Sequence, residues 1–206
     1  MTIIPAEAPP SAASIPLCVD LDGTLVLSDL LCESFILLIK RKPWCLLLIP
    51  FWLFLGRAYV KGAIAARVEL NVQRLAYHGE FVEWLKSERL AGRCIWLCTA
   101  ADESLAINVA RHLGLFDGVL ASDRSVNLSG VNKAARLVEK FGDRGFDYCG
   151  NEYRDIEVWK RSRGAIVVGD QKLLREAERH TAVLNSFMCP RFFMLRAVIA
   201  ALRVRQ

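Results

Sequence analysis

Short apolar runs alternate with helical patterns along the chain, and this alternation is the main clue to the fold. Between the apolar runs, hydrophobic residues recur every three or four positions, as they do on one face of a helix. The predicted strands are 17–21, 92–100, 118–121, 146–149, 165–168 and 181–184; the predicted helices are 28–40, 58–70, 80–89, 103–113 and 131–141, with a short one through Trp159. Strands that alternate with helices in this way predict an α/β fold.

The helical stretch after the first strand contains an almost entirely apolar segment, "PWCLLLIPFWLFLG", at Pro43–Gly56. It carries no charge, follows "KRK" and precedes Arg57 and Lys61. A membrane-spanning helix needs about 20 apolar residues, and this segment is shorter and interrupted by Pro50. Three interpretations stay open: a core hairpin of a helical cap, an interfacial membrane anchor, and a re-entrant element. Trp, Phe and Leu with basic flanks are typical of the headgroup boundary.

The two ends of the chain differ in composition from its centre. Residues 1–16 are rich in Ala and Pro and are predicted to be a flexible leader. Residues 188–206 contain several arginines and no acid. This tail is either a terminal helix packed on the domain or a basic amphipathic helix on a membrane surface, and we favour the second.

Length and charge limit the organisation of the protein. A chain of 206 residues that is 53% hydrophobic forms one well-buried domain with a small insertion. We therefore predict a core of 17–27 and 91–187 and a helical, hydrophobic cap of 28–90. The net charge of +5 does not indicate nucleic-acid binding, because the basic residues do not interleave with an exposed stacking pattern.

Seven scattered cysteines without a CxxC pair indicate neither a zinc site nor a disulfide framework. Most of them fall within apolar runs. We expect buried free thiols in a reducing cytosol.

The chemistry of the chain begins with "VDLDGTLV", where Asp20 and Asp22 follow the first strand. Open α/β sheets build their sites at the carboxyl ends of strands. Two carboxylates so close together favour a divalent cation, with one acting as nucleophile and the other as proton donor and acceptor. Gly23 permits a sharp turn, and the Thr24 hydroxyl can hold it. Taken alone, the motif also fits a solvated turn or a calcium loop.

Three further positions add to this motif. Thr99 ends the second predicted strand, where its hydroxyl and the neighbouring backbone N–H groups can meet a phosphate. Lys133, near a helix start, can supply a point charge to a phosphoryl group. Asn151 and Asp155, in "GNEYRD", offer oxygen ligands for a hard cation. These motifs in this order along the chain indicate a phosphate and metal site far more specifically than any one of them does.

With these motifs the chain resembles the haloacid dehalogenase (HAD) superfamily of phosphotransferases, from Leu17 to about Asp170. The matching motifs are "DLDGTL", "LCTA", Lys133 and "GNEYRD". The resemblance implies a Rossmann-like core, a parallel sheet flanked by helices, with a helical cap inserted after the first strand. It also implies an Mg²⁺-dependent phosphomonoester hydrolase that works through an aspartyl-phosphate.

The resemblance assigns a role to each site residue. Asp20 attacks phosphorus, and Asp22 protonates the leaving group and then activates water. Thr99 and Lys133 complete the catalytic set. The phosphoryl group is bound by Thr99, Ala100 and Lys133, with Gly23 and Thr24 at the turn. The metal ligands are Asp20, Asp22 through its backbone carbonyl, Asn151 and Asp155, where Asp155 holds either the waters of the metal or Lys133.

One position departs from the family pattern, since Asn151 stands where the family usually has Asp. An Asn carbonyl can still ligate Mg²⁺, but the site loses one negative charge. Two outcomes stay open: a working phosphatase with weaker metal affinity, and a catalytically weakened domain that serves as a partner or regulatory module of a membrane prenyltransferase.

The position of the cap is similar to that in the phosphoserine-phosphatase-like branch. Within it, the chain resembles lipid-phosphate phosphatases such as phosphatidylglycerophosphatase C and, more closely, the HAD domain fused ahead of UbiA-type polyprenyltransferases. We therefore expect a freestanding or truncated copy of that domain, cytoplasmic and peripheral at the inner membrane. The resemblance implies a lipid, prenyl or small phosphorylated substrate, with membrane contact through 43–56 and 190–206.

Overall fold

Six parallel strands form the centre of the protein. The structure is a computed structural model and describes residues 15–122 and 127–188. The strands are β1 (Leu17–Val19), β2 (Ile95–Asp102), β3 (Gly118–Ser122), β4 (Asp147–Gly150), β5 (Gly164–Gly169) and β6 (Ala182–Met188). They lie in the order β3-β2-β1-β4-β5-β6, and each neighbouring pair is parallel. The predicted α/β, Rossmann-like class is confirmed.

Helices cover both faces of this sheet. They are α1 (Leu30–Arg41), α2 (Ile49–Phe54), α3 (Arg57–Ala65), α4 (Gly79–Leu90), α5 (Glu103–Leu113), α6 (Val131–Phe141), α7 (Ile156–Trp159) and α8 (Gln171–Glu178). Successive strand residues point to opposite faces, so Leu17 and Val19 pack with α4 and α5. Cys18 packs on the other side, with α6, α7 and α8.

The helix boundaries agree with the sequence analysis in some places and differ in others. Both α5 and α6 have the predicted bounds, and α5 ends at Gly114, which has a φ of 64°. From the sequence, Ser28 is a plausible N-cap for the helix predicted at 28–40, and this prediction was wrong. Asp29 caps α1 by accepting from the backbone N of Leu31 at 2.8 Å, whereas the buried Ser28 hydroxyl has no hydrogen-bond partner among the described residues.

Three other elements differ from the expectation. Helix α3 ends at Ala65, not at Leu70, and β6 continues to Met188, a residue expected in the tail. Helix α8 was not predicted. Its apolar residues, Leu173, Leu174 and Ala177, pack on the sheet and its other residues are polar, so the helical spacing of apolar residues was present in a segment of only eight residues.

The segment between β1 and β2 forms a helical unit with a small core of its own. Its buried members come from α1, α2, α3, the 3₁₀-helix Pro43–Leu48 and the turn after α3: Leu38, Cys45, Trp52, Ala63, Ile64 and Val68. Helix α4 lies within the predicted cap range, 28–90, yet Phe81 and Leu85 pack with the sheet. The division of the chain into core and cap stays a prediction.

Most of the apolar segment 43–56 faces outward, not into the cap core. Only Cys45 and Trp52 are buried there. Within the described ranges, no helix has the length and hydropathy needed to cross a membrane. The predicted leader, except residues 15 and 16, and the tail beyond Met188 lie outside the described residues.

The expectation that the cysteines are buried was wrong for two of them. Cys32 and Cys94 are exposed, because one lies on the outer side of α1 and the other precedes β2. The described cysteines are all free thiols, as expected: Cys18, Cys32, Cys45, Cys94, Cys98 and Cys149.

Candidate active site

The carboxyl ends of β1, β2 and β4 meet at one edge of the sheet, where the strand order reverses. Open α/β sheets bind ligands at this point. A cleft of about 400 Å³ lies here, between the sheet and the helices that follow β1. Its lining includes the carboxylates of Asp20 and Asp22, the amine of Lys133 and apolar side chains such as Leu53.

Asp20 and Lys133 form an ion pair at this cleft. The Lys133 Nζ donates to Asp20 Oδ1 at 3.0 Å, and Lys133 is only 3% exposed. Burial raises the pKa of Asp20 to about 6, although Lys133 opposes the shift. Burial lowers the pKa of Lys133, but the carboxylates of Asp20 and Asp155 outweigh it and raise that pKa above its usual value. Lys133 therefore stays charged and holds the Asp20 carboxylate.

A buried hydrogen-bond chain positions this lysine. Lys133 Nζ donates to the Tyr148 hydroxyl at 2.7 Å, and that hydroxyl donates to Asp155 Oδ1 at 3.1 Å. Asp155 Oδ2 accepts from the backbone N of Asn151 at 3.0 Å and of Glu152 at 2.9 Å. Both carboxylate oxygens of Asp155 are thus hydrogen-bonded inside the protein. These contacts favour a role in positioning Lys133 and the turn after β4, and the role of Asp155 as a metal ligand stays a prediction.

Asp22 lies against the N-terminus of α1. Its Oδ1 accepts from the backbone N of Leu30 at 2.9 Å. Burial raises the pKa of Asp22 to about 7, Asp29 and Asp20 add to the rise, and the Leu30 N–H opposes it. A carboxyl that titrates near neutrality can both donate and accept a proton.

The turn after β1 is tied to the turn after β4. Thr24 Oγ1 donates to Asn151 Oδ1 at 3.1 Å. Gly23 has a φ of 75°, and a Cβ at this position would come within 2.0 Å of Asn151 Nδ2. Glycine is therefore needed at 23 both for the backbone conformation and for this close approach.

The turns after β1 and β4 carry oxygen donors that suit a divalent cation. Within the two described ranges, no group of three or more His, Cys, Asp or Glu side chains is arranged to hold a metal. Mg²⁺ commonly takes one or two carboxylates and fills its remaining positions with water and substrate phosphate. The oxygen donors of Asp20 and Asn151 are of the type that Mg²⁺ prefers, and such a sparse set fits Mg²⁺ better than a metal that needs a full protein cage.

The predicted site residues are brought to this edge of the sheet, but only some of them face the cleft. Asp20, Asp22, Ala100 and Lys133 line it. Gly23, Thr24, Thr99, Asn151 and Asp155 are not among the residues that line it. Thr99 is fully buried, and its hydroxyl accepts from the backbone N of Ala101 at 3.0 Å.

Sequence reasoning missed Lys61 as a site residue. Lys61 Nζ donates to the backbone carbonyl of Ala100 at 2.7 Å and to Asn127 Oδ1 at 2.9 Å, so it ties α3 to the edge of the sheet. Burial lowers the pKa of Lys61, and the charges of Asp22 and Asp29 oppose this shift. The available signal was a single lysine within the otherwise apolar "AYVKGAIA" of α3.

Tyr148 and Arg154 were missed as well. Tyr148 lies in an apolar strand, where an aromatic residue is normally predicted to be part of the hydrophobic core. Arg154 lines the cleft and pairs with Glu152, but a charged residue in a turn gives no such signal on its own.

The comparison with curated proteins finds a relative whose function is not characterized. No protein-family model matches the chain. An uncharacterized protein of Sinorhizobium fredii, y4nM, is 40% identical over 168 residues, which cover 79% of this chain and 32% of that protein. The chain thus spans about a third of the length of this relative.

Solved structures resemble the chain over nearly its whole length. Apo phosphoserine phosphatase matches with a TM-score of 0.57 at 13% identity, covering 91% of this chain and 98% of that one. A phospho-aspartyl intermediate analogue of phosphoserine phosphatase matches equally, with a TM-score of 0.57. The haloacid dehalogenase-like hydrolase SP0104 of Streptococcus pneumoniae gives 0.55 at 13% identity, covering 93% and 99%. The chain therefore has the fold of phosphoserine phosphatase and of haloacid dehalogenase-like hydrolases.

Proposed function

We propose that the protein is a Mg²⁺-dependent phosphomonoester hydrolase that works through an aspartyl-phosphate on Asp20. The observation that carries the proposal is the Asp20–Lys133 ion pair at the cleft, beside a second carboxyl, Asp22, at the N-terminus of α1. The fold supports it, since the similar structures include phosphatases.

Asp20 and Asp22 have different roles in the proposed reaction. A carboxylate oxygen of Asp20 attacks phosphorus, the bond from phosphorus to the leaving oxygen breaks, and Asp22 gives its proton to that oxygen. Asp22 then takes a proton from water, whose oxygen attacks the phosphoryl group; phosphate leaves and the Asp20 carboxylate is restored. Lys133 neutralises charge on the transferring group throughout.

Asp20 and Asn151 would hold the metal, together with the backbone carbonyl of Asp22. Mg²⁺ bound there would neutralise charge on the phosphoryl oxygens and orient the group for in-line displacement. Thr24 Oγ1 donates to Asn151 Oδ1 and so restrains the Asn151 amide at the turn after β4.

The proposed substrate is a lipid or prenyl phosphate, or a small phosphorylated metabolite, met at a membrane surface. The cleft supports a partly apolar ligand, because Leu31, Leu53 and Ile64 line it together with the carboxylates. A cytoplasmic, peripheral position at the inner membrane belongs to the same proposal.

Replacing Asn151 with Asp tests the metal part of the proposal. We expect Asn151→Asp to bind Mg²⁺ about tenfold more tightly, because it restores a negative charge beside Asp20. Calorimetric titration of Mg²⁺ measures this directly, and turnover of an aryl phosphate at limiting Mg²⁺ should rise with it. Equal affinity in the native chain and the variant would contradict the assignment of this residue as a ligand.

Replacing Lys61 tests the link between α3 and the sheet edge. We expect Lys61→Met to lower kcat/KM for an aryl phosphate about ten- to a hundredfold, since two hydrogen bonds from a charged donor are lost. Lys86→Met is the matched control, because Lys86 is exposed and pairs with Glu83 on the same helix, α4. Native kcat/KM in Lys61→Met would show that this contact does not serve the site.

A second candidate function rests on Asn151. With one carboxylate fewer than the family pattern, the chain can instead serve as a partner module of a membrane prenyltransferase. The length of the matched relative, about three times the region shared with this chain, is compatible with a multidomain context. Absence of hydrolysis in the native chain, with hydrolysis gained in Asn151→Asp, would favour this candidate.

A further inference from the structure

The cap presents a large apolar surface outside the cleft. Eight side chains between 44 and 55 are exposed by 42–89%. They are Trp44, Leu46, Leu47, Leu48, Phe51, Leu53, Phe54 and Leu55. We call this set the apolar cap surface. A soluble monomer rarely leaves so many neighbouring large apolar residues in water, because each loses the free energy that burial would give.

The segment that carries the apolar cap surface is positively charged. Residues 34–68 contain six lysines and arginines and no aspartate or glutamate. Lys40 and Arg41, at the end of α1, are exposed directly before it. Arg67 is exposed too and stacks over the buried Trp52, at 4.7 Å from the ring centroid. Basic residues beside exposed Trp, Phe and Leu complement an anionic lipid surface, whereas an acidic or neutral surround would not.

The apolar cap surface also reaches the cleft. Leu53 is 58% exposed and belongs to it, yet Leu53 also lines the cleft that contains Asp20 and Lys133. Val60 and Ile64 of α3 continue the apolar lining from there. Leu53, Val60 and Ile64 therefore offer a hydrocarbon chain apolar contacts from the cap surface towards the carboxylates.

We propose that the apolar cap surface docks the protein on an anionic lipid bilayer, and that the substrate is a phosphate monoester whose hydrocarbon chain enters the cleft past Leu53. The substrate part rests on the proposed function, and the docking part does not. Insertion of the cap surface buries the apolar side chains, while the basic residues lie at the lipid headgroups.

The test of docking is sedimentation of the full chain with vesicles of equal parts phosphatidylglycerol and phosphatidylcholine. We expect binding to these vesicles, weaker binding to pure phosphatidylcholine, and a decrease at high salt. Phe54→Glu should weaken binding at least about tenfold, because it removes a buried ring and adds a like charge to the lipid. Leu90→Glu is the matched control, since Leu90 on α4 and Phe54 are each 89% exposed.

Two results would overturn docking. One is a native chain that does not bind the anionic vesicles; a shift of the native chain from dimer to monomer in Phe54→Glu would then identify a second copy as the occupant. The other is equal binding by Phe54→Glu and Leu90→Glu. Sedimentation of Asp20→Asn gives the same information without turnover, so docking can stand where the proposed function fails.

The substrate part has its own readout. Phe54→Glu should lower hydrolysis of a long-chain alkyl phosphate held in the anionic vesicles at least about tenfold, and leave hydrolysis of a soluble aryl phosphate unchanged. Equal loss on both substrates would overturn entry from the bilayer. Absence of hydrolysis of either substrate by the native chain would overturn the proposed function and the substrate part together.

Discussion

Replacing Asp20 with asparagine is expected to lower hydrolysis of an aryl phosphate by at least about a thousandfold. An amide oxygen is a poor nucleophile, so the aspartyl-phosphate cannot form. Lys133, which donates to Asp20 Oδ1 at 3.0 Å, also loses its paired charge at the cleft. Initial rates at saturating Mg²⁺, with circular dichroism to verify the fold, measure the effect.

The control for this prediction is Asp143→Asn, the same substitution at an exposed carboxylate. Asp143 pairs with Arg161, and both side chains are about half exposed, at 53% and 52%. We expect its rate to equal that of the native chain. Retention of more than about a tenth of the native rate in Asp20→Asn would remove Asp20 from the role of nucleophile.

The second large effect concerns stability. Asp147, at the start of β4, is fully buried and binds two arginines. Arg93 is also buried; it pairs with Asp147 and donates through Nε to the backbone carbonyl of Ile15 at 3.1 Å. Arg163 donates to Asp147 Oδ1 at 2.9 Å and to Oδ2 at 2.6 Å. This cluster fixes the amino-terminal end of the sheet, opposite the cleft.

We expect Asp147→Ala to lower the free energy of unfolding by about 3 kcal/mol, because it removes the fully buried carboxylate that pairs with Arg93 and Arg163 and leaves the buried Arg93 guanidinium with the partly exposed Glu88. Urea denaturation followed by circular dichroism measures the change. Asp143→Ala, which breaks an exposed pair, should cost less than about 1 kcal/mol. A similar small loss in both variants would contradict the stabilising role of Asp147 and would mean that Glu88 or water compensates the Arg93 charge in the folded state.

Much of the fold is readable from the sequence, because its signals are local. Helices α5 and α6 have the predicted bounds, and Gly114 ends α5 through its positive φ. Two carboxylates after an apolar run predicted a site at the end of β1, and the cleft lies there. These signals depend only on neighbours in the chain, and the structure retains them.

The remaining parts of the site depend on contacts that are distant in sequence. Tyr148 looks like core until the fold brings its hydroxyl between Lys133 and Asp155. Lys61 reaches Ala100 and Asn127 only because α3 packs over the end of β2. The local sequence does not mark Tyr148, and the lone lysine in the apolar α3 does not reveal the partners of Lys61, since hydrogen-bond partners far apart in sequence leave no periodic trace.

The apolar segment 43–56 shows a different limit of prediction from sequence. Hydropathy alone predicted an unusual element at 43–56, but it does not distinguish a buried hairpin from an exposed one. The structure buries Cys45 and Trp52 and leaves Leu47 and Phe54 more than 80% exposed. The 3₁₀-helix Pro43–Leu48 and α2 are short, and their packing on α1 and α3 decides which of their side chains are buried. The hydropathy of the segment does not contain this information.

The measurement that tests the central claim most directly is detection of the covalent intermediate. Asp22→Asn, which lacks the group that activates water, is mixed with an aryl phosphate and Mg²⁺, quenched in acid and analysed by peptide mass spectrometry. The account predicts one added phosphoryl group on the peptide that contains Asp20, and none when Asp20→Asn is combined with Asp22→Asn. A native chain that hydrolyses the aryl phosphate while its Asp22→Asn variant carries no phosphoryl group on Asp20 would contradict it.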